Sequence, residues 1–179
     1  MRKLSMDELK RLNEEEFKKQ KKFPLALVLD NIRSMHNTGS IFRTADAFRI
    51  DKIYLCGITA CPPNRQIEKT ALGATKSINW KYFENTENAI LELKKQNYVI
   101  ASIEQVENSV SLCSFQPNKK NKYAVIFGNE VKGVQENVLK LCEHFLEIPQ
   151  FGTKHSFNVS VTAGIVMWDF YSKISTGIN

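Results

Sequence analysis

The chain has 179 residues, of which 42% are hydrophobic and 25% charged, enough to bury the core of one ordinary domain and too apolar for a wholly disordered chain. No apolar run reaches the ~18 residues of a membrane span; the longest candidate, residues 159–171, is broken by Ser160, Thr162 and Asp169. Twenty-five basic against 19 acidic residues leave a net charge of +6, which permits an anionic partner without specifying one.

Residues 1–22 form a charged leader with eight Lys/Arg and five Asp/Glu. The leader lacks the apolar stretch of a secretion signal, so a cytoplasmic protein is expected. Ser5 and Glu8 have the spacing of a capping box, and Leu9 and Leu12 mark a thin apolar stripe. Lys18, Lys19, Lys21 and Lys22 suit the C-terminal end of a helix dipole. A short surface helix is therefore expected, followed by one domain over residues 23–179. In that domain, residues 25–29 form a continuous apolar run short enough for a buried strand. A helix is expected near 39–48, a strand at 52–56, a short helix at 66–72 and a strand at 78–83. Residues 86–96 read as a helix with Ala89, Ile90 and Leu93 on one face. Strands follow at 98–103 and 123–127, a helix at 135–142, a strand at 145–148 and a last helix at 157–174. Strands alternating with helices predict an α/β fold with a mainly parallel sheet and helices on both faces. The last helix is apolar nearly all round: Val159, Ala163, Val166 and Phe170 share one face, and Val161, Ile165 and Trp168 another. Either it is a central core helix or it lies between its own sheet and a second subunit.

Parallel sheets bind ligands beyond the carboxyl ends of their strands, and three segments in such positions carry chemistry. Residues 31–48 hold Asn37, Gly39, Ser40 and Arg43 around an expected helix start, where free N–H groups suit an anion and the Arg43 fork suits a phosphate. Residues 127–134 read F-G-N-E-V-K-G-V; Gly128 allows close approach to the backbone and Glu130 offers a carboxylate. Val134 follows Gly133 where a phosphate-binding loop needs Lys-Ser/Thr, and no G-x-G-x-x-G occurs, so nucleotide-triphosphate and dinucleotide sites are not expected. In residues 148–160, Ser156 and Asn158 can cap the last helix, Lys154 and His155 add positive charge, and a loop histidine of this kind reads as incidental. Cys56, Cys61, Cys113 and Cys142 contain no C-x-x-C pair and are read as reduced thiols rather than a metal site or disulfide framework.

Taken in order, N-x-G-x-x-x-R (from Asn37), F-G-N-E-x-x-G (from Phe127) and I-P-x-x-G-x-x-x-S-x-N-V-S-V (from Ile148) resemble the three motifs of the SpoU/TrmH-type RNA ribose 2′-O-methyltransferases of the SPOUT superfamily. The resemblance spans about residues 24–172. It implies a C-terminal deep trefoil knot, an obligate homodimer, S-adenosyl-L-methionine as methyl donor, and an RNA substrate, tRNA ahead of rRNA. It places Arg43, Asn37, Glu130, Ser156 and Asn158 in the catalytic pocket, and Ile103, Gly128, Ile148 and Phe157 around the cofactor. It calls for no metal and no membrane. Arg43 would serve either as general base or, staying charged, as a grip on phosphate and on the developing alkoxide; a guanidinium pKa above ~12 favours the second. Phe157 stands where the family usually has leucine, and Arg49 where glycine is common. The leader is open to two uses, a solvated helix or an RNA contact. The rival class is a catalytically silent RNA-binding dimer of the same fold, against which the intact motif residues count.

Overall fold

The computed structural model describes residues 1–5, 8 and 11–175. A seven-stranded sheet runs in the order β3-β2-β1-β6-β4-β7-β5, built from β1 (Phe23–Asp30), β2 (Ile50–Cys56), β3 (Asn79–Phe83), β4 (Tyr98–Ile103), β5 (Val110–Ser111), β6 (Lys122–Phe127) and β7 (His144–Glu147). Every neighbouring pair is parallel. The helices are α1 (Glu14–Lys19), α2 (Met35–Ala47), α3 (Arg65–Ala71), α4 (Ala74–Ser77), α5 (Thr86–Lys95), α6 (Glu136–Leu139) and α7 (Val159–Ser175).

The central strand shows why the run at 25–29 carries no polar residue. Successive strand side chains point to opposite faces. Leu25, Leu27 and Leu29 join a core with Ile41, Phe42 and Ala45 of α2 and Ala163, Val166 and Phe170 of α7. Ala26 and Val28 join a second core with Ala89, Ile90 and Leu93 of α5 and Val138 of α6. Both faces are thus covered, as parallel sheets require. The chain order reverses at the centre: β6 inserts between β1 and β4, so the carboxyl ends of β4, β6 and β7 lie side by side.

Several expectations need correction. The Ser5–Glu8 capping box forms, with Glu8 N donating to Ser5 Oγ (3.3 Å) and Ser5 N to Glu8 Oε2 (2.7 Å), and the first regular helix among the described residues is α1. A second box, Asn13 with Glu16, has both bonds at 2.9 Å and opens α1 at Glu14. Leu9 lies outside the described residues. The leader is also anchored: Phe17 is 6% exposed within the core of the α2 face, and Lys22 lies over its ring at 3.4 Å. The helix expected over 135–142 is regular only through Leu139. Leu141 N and Cys142 N bond three residues back, to Val138 and Leu139, a tightening that ends the α-helix. The short α4 and β5 were not anticipated. Arg49 has φ of +51°, in the left-handed region that glycine adopts without strain.

Candidate active site

Helix α2 begins at Met35, four residues before the expected start, with Ser34 as its cap: Ser34 Oγ accepts from Asn37 N at 3.2 Å. The anion at this helix start is one of the protein's own. Glu130 Oε2 accepts from Arg33 N (3.0 Å), and its Oε1 accepts from Ser34 N (3.1 Å) and Asn37 Nδ2 (3.4 Å). Burial pushes the Glu130 carboxyl up, but the backbone N–H groups of Arg33, Glu130 itself and Ser34, together with the Asn37 amide, outweigh it and hold the group below the usual carboxylate range. Gly39 lies within α2, where a Cβ would strike Thr70 Oγ1 and the Ile67 carbonyl of α3. It is a packing glycine.

The loop after β6 closes on itself. Asn129 and Gly133 exchange backbone hydrogen bonds at 3.0 and 2.9 Å, and Asn129 Oδ1 accepts from Val131 N and Lys132 N. A Cβ on Gly128 would collide with the Gly133 and Val134 backbone, so the glycine answers to loop closure. Glu104, just past β4, accepts from Val134 N at 2.8 Å and fixes the far side of the loop.

Helix α7 is capped by Asn158, whose Oδ1 accepts from Ser160 N (2.9 Å) and Ser160 Oγ (2.7 Å). Its other amide atom reaches across the fold: Asn158 Nδ2 donates to Asn37 Oδ1 at 3.2 Å. Asn37 therefore bridges Glu130 on one side and Asn158 on the other, and the three sequence motifs meet at one amide.

Beside this junction lies a cavity of about 500 Å³, within the ~300–1,000 Å³ of small-molecule sites. It lies beyond the carboxyl ends of β4, β6 and β7. Its walls include Ile103, Gly128, Ile148 and Phe157, the four expected cofactor residues, together with Glu130, Ser156 and Asn158. Asn37 is tied to the wall through Glu130 and Asn158. Arg43 is exposed on α2 and is not among the lining residues. Sequence reasoning missed Glu104, Glu147 and Gln150 in the wall, and His155, read as incidental, also lines it. Glu104 and Glu147 could have been found by reading the last residue of each strand and the one after it. Three carboxylates and no Lys or Arg line the cavity, a donor set that fits a cationic ligand.

Burial pushes the Cys142 thiol up to about 11 and the Cys56 thiol up to about 12, and all four cysteines are free thiols. Among the described residues, no group of three or more His, Cys, Asp or Glu is placed to hold a metal, and no helix is long and apolar enough to cross a membrane.

A model described as the SpoU rRNA Methylase family matches residues 24–168. The 23S rRNA (guanosine-2'-O-)-methyltransferase RlmB of Neisseria meningitidis is 32% identical over 145 residues, 80% of this chain and 56% of the relative. The TrmH/SpoU tRNA modifying enzyme of A. aeolicus has a TM-score of 0.78 at 23% identity, over 89% of this chain and 80% of that one. The AdoMet-bound rRNA methyltransferase of Sinorhizobium meliloti has a TM-score of 0.77 at 24% identity, over 87% of this chain and 59% of that one. These structures share the fold. The chain spans just over half the length of the RlmB relative.

Proposed function

Since the chain belongs to the SpoU methylase family, we propose that it methylates a ribose 2′-hydroxyl of RNA in the cytoplasm, with S-adenosyl-L-methionine as donor. The observation that carries this reading is the Asn37 bridge, which joins all three motifs at the edge of a cavity suited to a cationic ligand. Transfer RNA is the first reading, supported by the likeness to the A. aeolicus tRNA modifying enzyme. The RlmB likeness supports ribosomal RNA as the second reading.

Ile103, Ile148, Phe157 and the Gly128 backbone would hold the cofactor's adenosine, and Glu104, Glu130 and Glu147 give the wall its negative charge. Bound S-adenosylmethionine supplies a methyl group on a sulfonium. Asn37 and Asn158 orient the ribose, and Ser156 shapes the loop beside it. Positioning of this kind is worth up to ~7–11 kcal/mol. The Arg43 guanidinium grips the RNA phosphate and stabilises the developing 2′-alkoxide, while the hydroxyl proton leaves to water. The reading also includes a C-terminal trefoil knot and a homodimer. Arg43 lies outside the cavity of its own chain, on a helix that packs against α7. For Arg43 to act, the reading requires that the homodimer bring it to the cavity of the second subunit.

Calorimetry with S-adenosylhomocysteine tests the donor. One saturable site per chain, unchanged by Mg²⁺ or EDTA, is expected; no binding at millimolar ligand contradicts the reading. Arg43→Ala should leave that affinity within about threefold, or ~0.7 kcal/mol. Single-turnover methylation should fall by ~100-fold or more, as when one electrostatic stabiliser is removed.

A further inference from the structure

Asp30, the last residue of β1, is fully buried, yet it does not line the cavity. Its Oδ1 accepts from Thr86 Oγ1 (2.6 Å), Asn31 Nδ2 (2.8 Å) and Gln135 Nε2 (2.9 Å), and its Oδ2 from Gln135 N (3.2 Å). A buried carboxylate is tolerated only when its acceptor sites are filled in this way. The partners are unevenly placed. Thr86 opens α5 on the face away from α2 and α7, whereas Gln135 ends the loop that runs from Gly128 and carries Glu130. The start of the same loop is tied to the next residue along: Asn129 Nδ2 donates to the Asn31 carbonyl at 2.6 Å. Asn31 is itself held in the left-handed region, φ +57°, by its Oδ1 accepting from Ile58 N at 3.1 Å. The dipeptide Asp30-Asn31 therefore grips both ends of the loop whose middle, through Glu130, sets Asn37.

We propose that Asp30 is a positioning residue for the methyl-donor site: through Gln135 it fixes the register of the 128–135 loop, and so the cavity wall formed by Gly128, Glu130 and Gly133. This rests on the methyl-donor reading above. A side-chain hydrogen bond that only stabilised the fold would have no bearing on ligand affinity once the protein is folded. A clamp on the wall bears on it directly, because misplaced wall groups must be reordered when the ligand binds.

The test is S-adenosylhomocysteine affinity by calorimetry, measured well below each variant's melting temperature, with circular dichroism confirming the fold. Asp30→Asn should weaken binding by about tenfold or more. Thr86→Val removes a hydrogen bond from the same carboxylate, but on the α5 side. It should lower the melting temperature and leave affinity within about twofold. Asp30→Asn combined with Gln135→Glu exchanges donor and acceptor across the clamp, and should recover at least threefold of the lost affinity. If Asp30→Asn fails to fold, Gln135→Met at an exposed position carries the same prediction of weakened binding. Asp30→Asn, or Gln135→Met in its place, with wild-type affinity overturns the proposal; so does Thr86→Val weakening binding in parallel with Asp30→Asn. Absence of any saturable binding to the wild-type protein overturns the methyl-donor reading itself, and the clamp's role with it.

Discussion

Glu130 couples charge to fold at the start of α2. Its folded-state pKa is lowered, so its bonds to Arg33 N, Ser34 N and Asn37 contribute fully above the unfolded carboxyl value of ~4.3 and are lost as pH falls through the lower folded value. The melting temperatures of wild type and Glu130→Gln should therefore differ at pH 7 and converge as the solution is acidified below about pH 4. A gap that stays constant down to pH 2 would show that the carboxylate charge is not what the helix start holds. The sequence singled out Glu130, Asn37 and Asn158, but it could not show that they touch. The Asn37–Glu130 and Asn37–Asn158 contacts join segments far apart in the chain, and no local pattern encodes such pairings. Gly39, expected at a helix start, lies inside α2 with its Cβ side filled by Thr70 and the Ile67 carbonyl, and the Cβ side of Gly128 is filled by the Gly133 and Val134 backbone; neither contact is legible in the sequence.

At the level of elements, strands and long helices were legible because their periodicity reports burial, and the parallel sheet buries both faces. Short elements were not. The residues of α4 carry no apolar period, β5 has two residues, and α6 gives way to tighter turns after four. The packing of α2 on α3 depends on Gly39. In Gly39→Ala, better helix propensity contributes ~1 kcal/mol, but the added methyl meets the Ile67 carbonyl, a backbone atom that cannot rotate away. Overpacking costs ~1–3 kcal/mol, so a net loss of up to ~2 kcal/mol is expected in urea unfolding. A stabilised variant would mean that the two helices separate freely.

At the scale of the whole molecule, the described residues leave one face of the last helix exposed. Val159, Ala163, Val166, Met167, Phe170 and Ile174 are buried, whereas Val161 is 51% and Trp168 60% exposed. Trp168 stacks on Tyr171 with ring centroids 6.4 Å apart and approaches Phe48 at 6.2 Å, extending the apolar surface toward α2. One stripe is therefore core, as the first alternative has it, and the other is exposed among the described residues, the face on which the second alternative places a second subunit. If the free stripe joins two copies, wild-type protein at micromolar concentration should scatter light at twice the chain mass. Val161→Asp should dissociate and melt at lower temperature, since an obligate interface resembles a core cut in half. A stable wild-type monomer would remove the dimer. The central claim, methyl transfer to ribose, is tested most directly by incubating the protein with RNA lacking its modification and S-adenosylmethionine labelled in the methyl group, then digesting the RNA to nucleosides. Label is expected in a single 2′-O-methylated nucleoside, and far less of it with Arg43→Ala. Label on a base, or no transfer to any RNA by protein that binds S-adenosylhomocysteine, would contradict it.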